Sequence, residues 1–332
     1  MKRTLAYLLA LTLLLCGCAS GDVPPETGVE LPTVSAPADA AVSPSLPPRK
    51  EETPNQAAMS APPVNALSPE VMIPTAAPEP APEVITYTVE RDVRRQEIHS
   101  EDNVKLAEVR YQVPLLQAYG ADGVPVTEGT TPERSRALEV TAAFNEKFDW
   151  WRQEDNTLRQ TVTEDYRYRP DMFTMGMYYV DELDFSVWQT ERLISIRADS
   201  YSYYGGAHPN SALLGWSFDL GTGTYIYPLS IALDEQAFRT VVAEDLIRQA
   251  DERAAALQQE PTSMYWADYR SLLMNWSDYP VFFDAAGMTV RFSPYDLGSY
   301  AAGAHEFTFS YAFLQPWLSD YGCDLLGLKT AA

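Results

Sequence analysis

The stretch RLISIRADSYSYYGGAHPNSALLGWSFDLGTG, residues 192–223, decides how the fold is read. Arg192 to Tyr204 and Ser211 to Leu220 are both rich in branched and aromatic residues, the composition of strands. Between them lies Gly205-Gly206-Ala207-His208-Pro209-Asn210, and a glycine pair between aromatic strands marks a bulge or a close approach of two backbones. Asp219-Leu220-Gly221-Thr222-Gly223 has hairpin chemistry and leads into a further short strand, Thr224 to Tyr227. The stretch predicts neighbouring strands joined by tight turns, hence an antiparallel sheet.

The flanks agree. Upstream, Met172 to Trp188 reads as one or more strands, and Val104 to Leu116 as another that ends at the Tyr119-Gly120-Ala121-Asp122-Gly123 turn. Thr131-Pro132 is a helix start, with a capping hydroxyl followed by proline at the first helical position. Ala137, Val140, Phe144, Phe148 and Trp151 then fall on one helical face, which the spacing assigns to the core. Downstream, Asp234 caps a second helix that runs to about Gln259 and stops at Pro261, with Leu233 and Phe238 spaced as a hydrophobic staple. Trp266, Tyr269, Leu273 and Trp276 suggest a shorter third helix. Val281–Asp284 and Met288–Phe292 flank Ala285-Ala286-Gly287 as a second hairpin, and Phe307–Phe313 makes a closing strand. Strands and helices are segregated and hairpin-linked rather than alternating, so the expected class is α+β, with antiparallel sheets and packed helices.

The chain begins with Lys2 and Arg3, an apolar run from Leu5 to Leu15, and then Cys16-Gly17-Cys18. That run is too short to span a bilayer comfortably and has the flanks of a secretory signal. Gly17 before Cys18 supplies the small residue that a lipoprotein signal peptidase needs. Residues 1–17 are therefore expected to be removed and Cys18 lipidated, which places the protein on the extracytoplasmic face of the cell membrane. Lipidation at Cys16 would put bulky Leu15 at the cleavage position. From Ala19 to Val84 no aromatic residue occurs and fifteen prolines do. Residues 18–84 are read as a disordered Pro/Ala-rich tether, at most about 200 Å long at ~3.1 Å per residue. The expected folded segments are 85–222 and 223–320, packed as one unit and followed by a tail, 321–332. Cys323 is the one cysteine in the folded part, so an internal disulfide is excluded there.

Net charge is −22. Residues 1–84 carry four of the 24 basic and nine of the 46 acidic residues, which leaves −17 on residues 85–332. Nothing offers the basic stripe that phosphate binding requires, so nucleic acid is not an expected partner. A cationic partner would be steered towards such a surface; on charge alone, simple solubility at a crowded cell surface is the better explanation.

Two segments carry the functional reading: Ser202 to Asn210, and Phe292-Ser293-Pro294-Tyr295-Asp296-Leu297-Gly298-Ser299-Tyr300-Ala301-Ala302-Gly303-Ala304-His305-Glu306-Phe307. Both contain Ser-Tyr-x-x-Gly-Ala-His, 97 residues apart and without surrounding similarity. The match reads as coincidence or as two loops solving one backbone problem, more readily than as a repeat. In order and composition these blocks resemble the paired extracellular domains of unknown function in RsiV-type lysozyme-sensing anti-sigma factors and in the non-catalytic part of PdaC-type peptidoglycan deacetylases. The resemblance runs from about residue 95 to 320. Ala304-His305 departs from it, standing where relatives tend to carry a branched residue and proline, so no role for His305 follows from the family. No anti-sigma segment precedes the export signal and no deacetylase domain follows the second block. The resemblance therefore implies a recognition module for a lysozyme-like protein or a peptidoglycan glycan. Candidate binding residues are Tyr203, Tyr204, His208, Asn210, Tyr295, Tyr300 and Glu306, with no metal and no cofactor expected.

Two other readings stay open. A cell-wall hydrolase or esterase would use His208 or His305 within hydrogen-bond reach of a carboxylate or serine, with Asp296 or Glu306 as partners, although no HExxH, Gly-x-Ser-x-Gly or Walker loop is present. A structural envelope lipoprotein without a soluble ligand would show a large exposed apolar patch.

Overall fold

A computed structural model describes residues 82–153 and 156–328. The expected signal, the lipidation site at Cys18 and nearly all of the tether lie outside these residues. Among the described residues no helix is long and apolar enough to cross a membrane.

The class is α+β, as the sequence leads one to expect. The chain runs β1 (Thr86–His99), β2 (Lys105–Tyr119), α1 (Pro132–Glu146), α2 (Asp149–Arg152), α3 (Asn156–Tyr168), α4 (Pro170–Thr174), β3 (Tyr179–Gln189), β4 (Leu193–Tyr203), β5 (Asn210–Asp219) and β6 (Thr224–Tyr225). Then come α5 (Glu235–Ala256), α6 (Pro261–Met264), α7 (Tyr269–Met274), β7 (Val281–Asp284), β8 (Gly287–Phe292), β9 (His305–Ser310), α8 (Tyr311–Leu314) and α9 (Asp320–Leu325). Six strands form one sheet in sequence order, β1 to β6, and β7, β8 and β9 form a second.

Pairing is antiparallel throughout except between β2 and β3, which run parallel from Ala107 opposite Tyr179 to Tyr111 opposite Leu183. Helices α1 to α4 make that crossover, so one parallel connection interrupts the expected run of hairpins. Its length has a physical reason, since parallel neighbours need a long connection. The deciding stretch forms β4 and β5 in antiparallel register, Leu193 opposite Asp219 and Ser202 opposite Asn210. Gly223 closes the turn to β6 at a φ of 71°, where a side chain would be strained.

The two helix starts behave as their caps require. Thr131 Oγ1 accepts from Arg134 N at 3.2 Å, and Asp234 Oδ1 accepts from Ala237 N at 2.9 Å. The expected staple does not form: Phe238 is buried, but Leu233 is 75% exposed and its N–H goes to Trp317 O. Other boundaries move. Met172 lies in α4 rather than in a strand, the expected third helix reduces to α7 and a short 3-10 turn at Trp276–Asp278 with Trp266 outside both, and the closing strand ends at Ser310.

Two large apolar clusters result, beside a small one of Ala118, Val126 and Ala137. One, including Phe144, Phe148, Leu183, Ile196 and Phe218, packs α1 to α4 on the larger sheet. The other, including Phe238, Trp276, Phe283, Phe292 and Phe307, packs α5 and the C-terminal helices on the smaller sheet. Fully buried side chains of this size contribute about 1.5–3 kcal/mol each. The sheets meet where β7 and β8 cross β4 and β5. Gly215 is needed there, because a Cβ would stand 2.6 Å from Val281 O. Arg291 on β8 is fully buried at the crossing and donates to Ala198 O at 2.7 Å and Leu214 O at 2.6 Å.

Candidate functional site

The crossing of the sheets brings the two glycine-rich blocks side by side. The first is the β4–β5 connection, residues 204–209. The second joins β8 to β9, residues 293–304. In both, the glycine of Ser-Tyr-x-x-Gly-Ala-His takes a positive φ, 111° at Gly206 and 77° at Gly303, and in both the chain then enters a strand. No atom crowds either glycine, so the motif solves a backbone turn rather than a close contact.

The histidine of the first motif lies on the tyrosine of the second. His208 and Tyr300 stack with ring centroids 3.8 Å apart and planes at 14°. Tyr295 completes the cluster, its hydroxyl 2.9 Å from His208 Nε2 and its ring 5.7 Å from Tyr300. His208 Nδ1 lies 3.0 Å from Pro209 O, which can only accept, so Nδ1 carries the proton. In the neutral imidazole, Nε2 therefore accepts and the Tyr295 hydroxyl donates. The imidazole is held on one face and at both nitrogens.

Tyr295 is half exposed and has a φ of 77°, in the left-handed region. Ser293-Pro294-Tyr295-Asp296 is a turn closed by Asp296 N to Ser293 O at 3.0 Å, with proline second and the positive φ third. That is the arrangement of a type II turn, whose third position favours glycine. A tyrosine there costs about 1–3 kcal/mol. The surroundings hold it: Asp296 Oδ2 accepts from Ser293 N at 2.6 Å, Ser293 Oγ accepts from Leu213 N at 3.0 Å, and Trp266 Nε1 donates to Tyr295 O at 3.1 Å. Burial pushes the Asp296 carboxyl above its ordinary range. Residues aimed at solvent from a strained backbone are a mark of functional sites.

The other sequence-named residues have different surroundings. Tyr203 borders the cluster, its hydroxyl donating to Gly206 O at 3.2 Å, and Asn210 is exposed where β5 begins. Tyr204 points the other way: its hydroxyl donates to Asp181 at 2.6 Å and its ring packs 5.5 Å from Tyr179 in the first core. Glu306 is held in ion pairs with Arg291 at 2.6 Å and Arg197 at 3.2 Å. His305 is buried, its Nε2 has no hydrogen-bond partner, and burial together with Arg253 lowers its pKa. The hydrolase reading requires a histidine beside a carboxylate or serine; among the described residues neither His208 nor His305 has one in hydrogen-bond reach. Trp266, read from the sequence only as a helix residue, belongs to the site as well, and so does the Ser293–Asp296 turn, whose residues the sequence quoted without reading the turn. The turn could have been found, since Ser-Pro-x-Asp is turn chemistry with a tyrosine where glycine is expected.

No protein-family model matches the chain, and no curated protein matches it. Among solved structures it is similar to a member of the DUF3298 family from Bacteroides fragilis, with a TM-score of 0.42 and 15% identity over 74% of this chain and 97% of that one. It is also similar to a DUF3298 family protein from Pseudomonas aeruginosa, with a TM-score of 0.40 and 15% identity over 71% and 96%.

Proposed function

We propose that the chain is a recognition module of the bacterial envelope, lipid-anchored through Cys18, whose contact surface is the His208–Tyr295–Tyr300 cluster and whose partner is a basic, lysozyme-like protein. The observation that carries this reading is the strained, half-exposed Tyr295, bonded to a histidine that is stacked on a tyrosine from the same loop. Rigid aromatic groups lose little entropy on contact and dominate the energetics of protein interfaces. The charge of −17 on residues 85–332 favours encounter with a cation-rich partner. A second reading, binding of a peptidoglycan glycan strand, is favoured by the open face of Tyr295, which suits a sugar ring. Surface plasmon resonance of the full chain over immobilised c-type lysozyme, beside pull-down on purified peptidoglycan, separates the two. Saturable binding to lysozyme that weakens at least about tenfold in Tyr295→Ala supports the protein partner. Retention on peptidoglycan alone, lost in the same variant, supports the glycan. Loss of neither in the variant removes the cluster from both readings.

A further inference from the structure

A groove of about 410 Å³ lies away from this cluster, along β1 and the central part of β2, and Trp151 and Gln153 at the end of α2 line it as well. Its β1 wall includes Arg94, Arg95 and Gln96. The arginines of these two strands divide sharply. Arg91 pairs with Asp184 at 2.9 Å and lies over the Phe185 ring, and Arg110 pairs with Glu182 and Glu108. Arg94 and Arg95 have no ion pair among the described residues. Successive strand residues point to opposite faces, so it is Arg94 that shares the face of Asp92 and Gln96, and in a chain of net charge −22 an arginine there without an ion pair is unusual. Among the described residues the carboxylate lining the groove is that of Asp92, which lies 3.7 Å from Arg152 Nε, an arginine it shares with Asp149 at 3.1 Å.

The rest of the lining narrows the ligand class. Trp151 packs steeply against Trp150, 5.4 Å away at 87°, and Trp216, 6.0 Å away at 69°, so its indole is held in place in the lining beside Arg94. Gln96 and Gln153 add amides that donate and accept. A planar guanidinium matches a carboxylate with two parallel hydrogen bonds, an indole suits the C–H face of a sugar ring, and amides suit hydroxyls. We infer that this groove binds a carboxylated sugar, with Arg94 on the carboxylate and Trp151 against the ring. The site is independent of the contact surface formed by His208, Tyr295 and Tyr300.

The probe is methyl β-glucuronide, set against methyl β-glucoside, which carries a neutral hydroxymethyl group where the glucuronide carries its carboxylate. Calorimetric titration of the full chain at low ionic strength, with saturation-transfer NMR to report ring contact, should show the glucuronide binding at least about tenfold more tightly than the glucoside. Arg94→Gln should bring the glucuronide down to the glucoside's level, and Tyr295→Ala should leave its binding unchanged. Arg94 makes no hydrogen bond or ion pair among the described residues, so its replacement is expected to leave the fold intact, which circular dichroism checks. Equal binding of the two glycosides, no binding of either, loss in Tyr295→Ala instead of Arg94→Gln, or inorganic phosphate binding more tightly than the glucuronide would each overturn the inference.

Discussion

At the scale of single residues, Tyr295 and His305 show what position does to similar chemistry. Tyr295 occupies a backbone conformation that glycine would adopt without strain, so Tyr295→Gly removes strain together with the hydrogen bond to His208. The expected outcome is a melting midpoint that stays level or rises, within about 1 kcal/mol, alongside loss of partner binding. A marked fall in stability would mean that the side chain serves the fold. His305 stands in the equivalent place of the second motif, yet it is buried beside Tyr265, with ring centroids 5.0 Å apart. Its folded pKa is lowered, by burial first and then by Arg253, so the unfolded chain takes up its proton at a higher pH than the folded one. The stability it allows is full above its unfolded value of about 6.5 and is lost as pH falls from there towards the lower folded value. Urea midpoints measured from pH 8 to pH 5 should decline more steeply in the parent chain than in His305→Phe; parallel curves would remove His305 as the cause. The resemblance set His305 apart, but local sequence could not tell which of the two histidines is buried. Both follow Gly-Ala, and only the packing of β9 under Tyr265 decides which one is buried.

At the scale of elements, the joint between the sheets governs the site. Arg291 is fully buried and donates to Ala198 O and Leu214 O of the larger sheet while pairing with Asp199 and with Glu306 of its own sheet. Arg291→Ala would leave two carbonyls without their guanidinium and Asp199 without its partner, while Glu306 keeps Arg197. Each buried carbonyl left unpaired costs about 1–3 kcal/mol, and denaturant unfolding should show the combined drop in one shared transition. A loss under about 1 kcal/mol, or two separate transitions, would contradict the joint. Strand pairing around residues 192–223, both helix caps and both hairpins were legible because each rests on local chemistry. β1 was not, since as an edge strand it alternates charged and apolar residues with only Ile98 buried. The parallel pairing of β2 and β3 was not legible either, because it depends on where four intervening helices deliver the chain.

At the scale of the whole molecule, the fold takes two loops some 90 residues apart and sets a histidine from one on two tyrosines from the other. The sequence named all three residues through the resemblance that the two blocks carry, but nothing local could show that they touch. Tyr204 and Glu306, named on the same grounds, are held by Asp181 and by Arg291 and Arg197. Whether the two loops act as one contact surface is tested most directly by a double-mutant cycle, titrating c-type lysozyme calorimetrically into the full chain, His208→Ala, Tyr300→Ala and the double variant. A shared surface predicts that each single variant weakens binding by about 1–2 kcal/mol and that the double variant loses clearly less than the sum. Binding unchanged in both single variants, or losses that simply add, would contradict it.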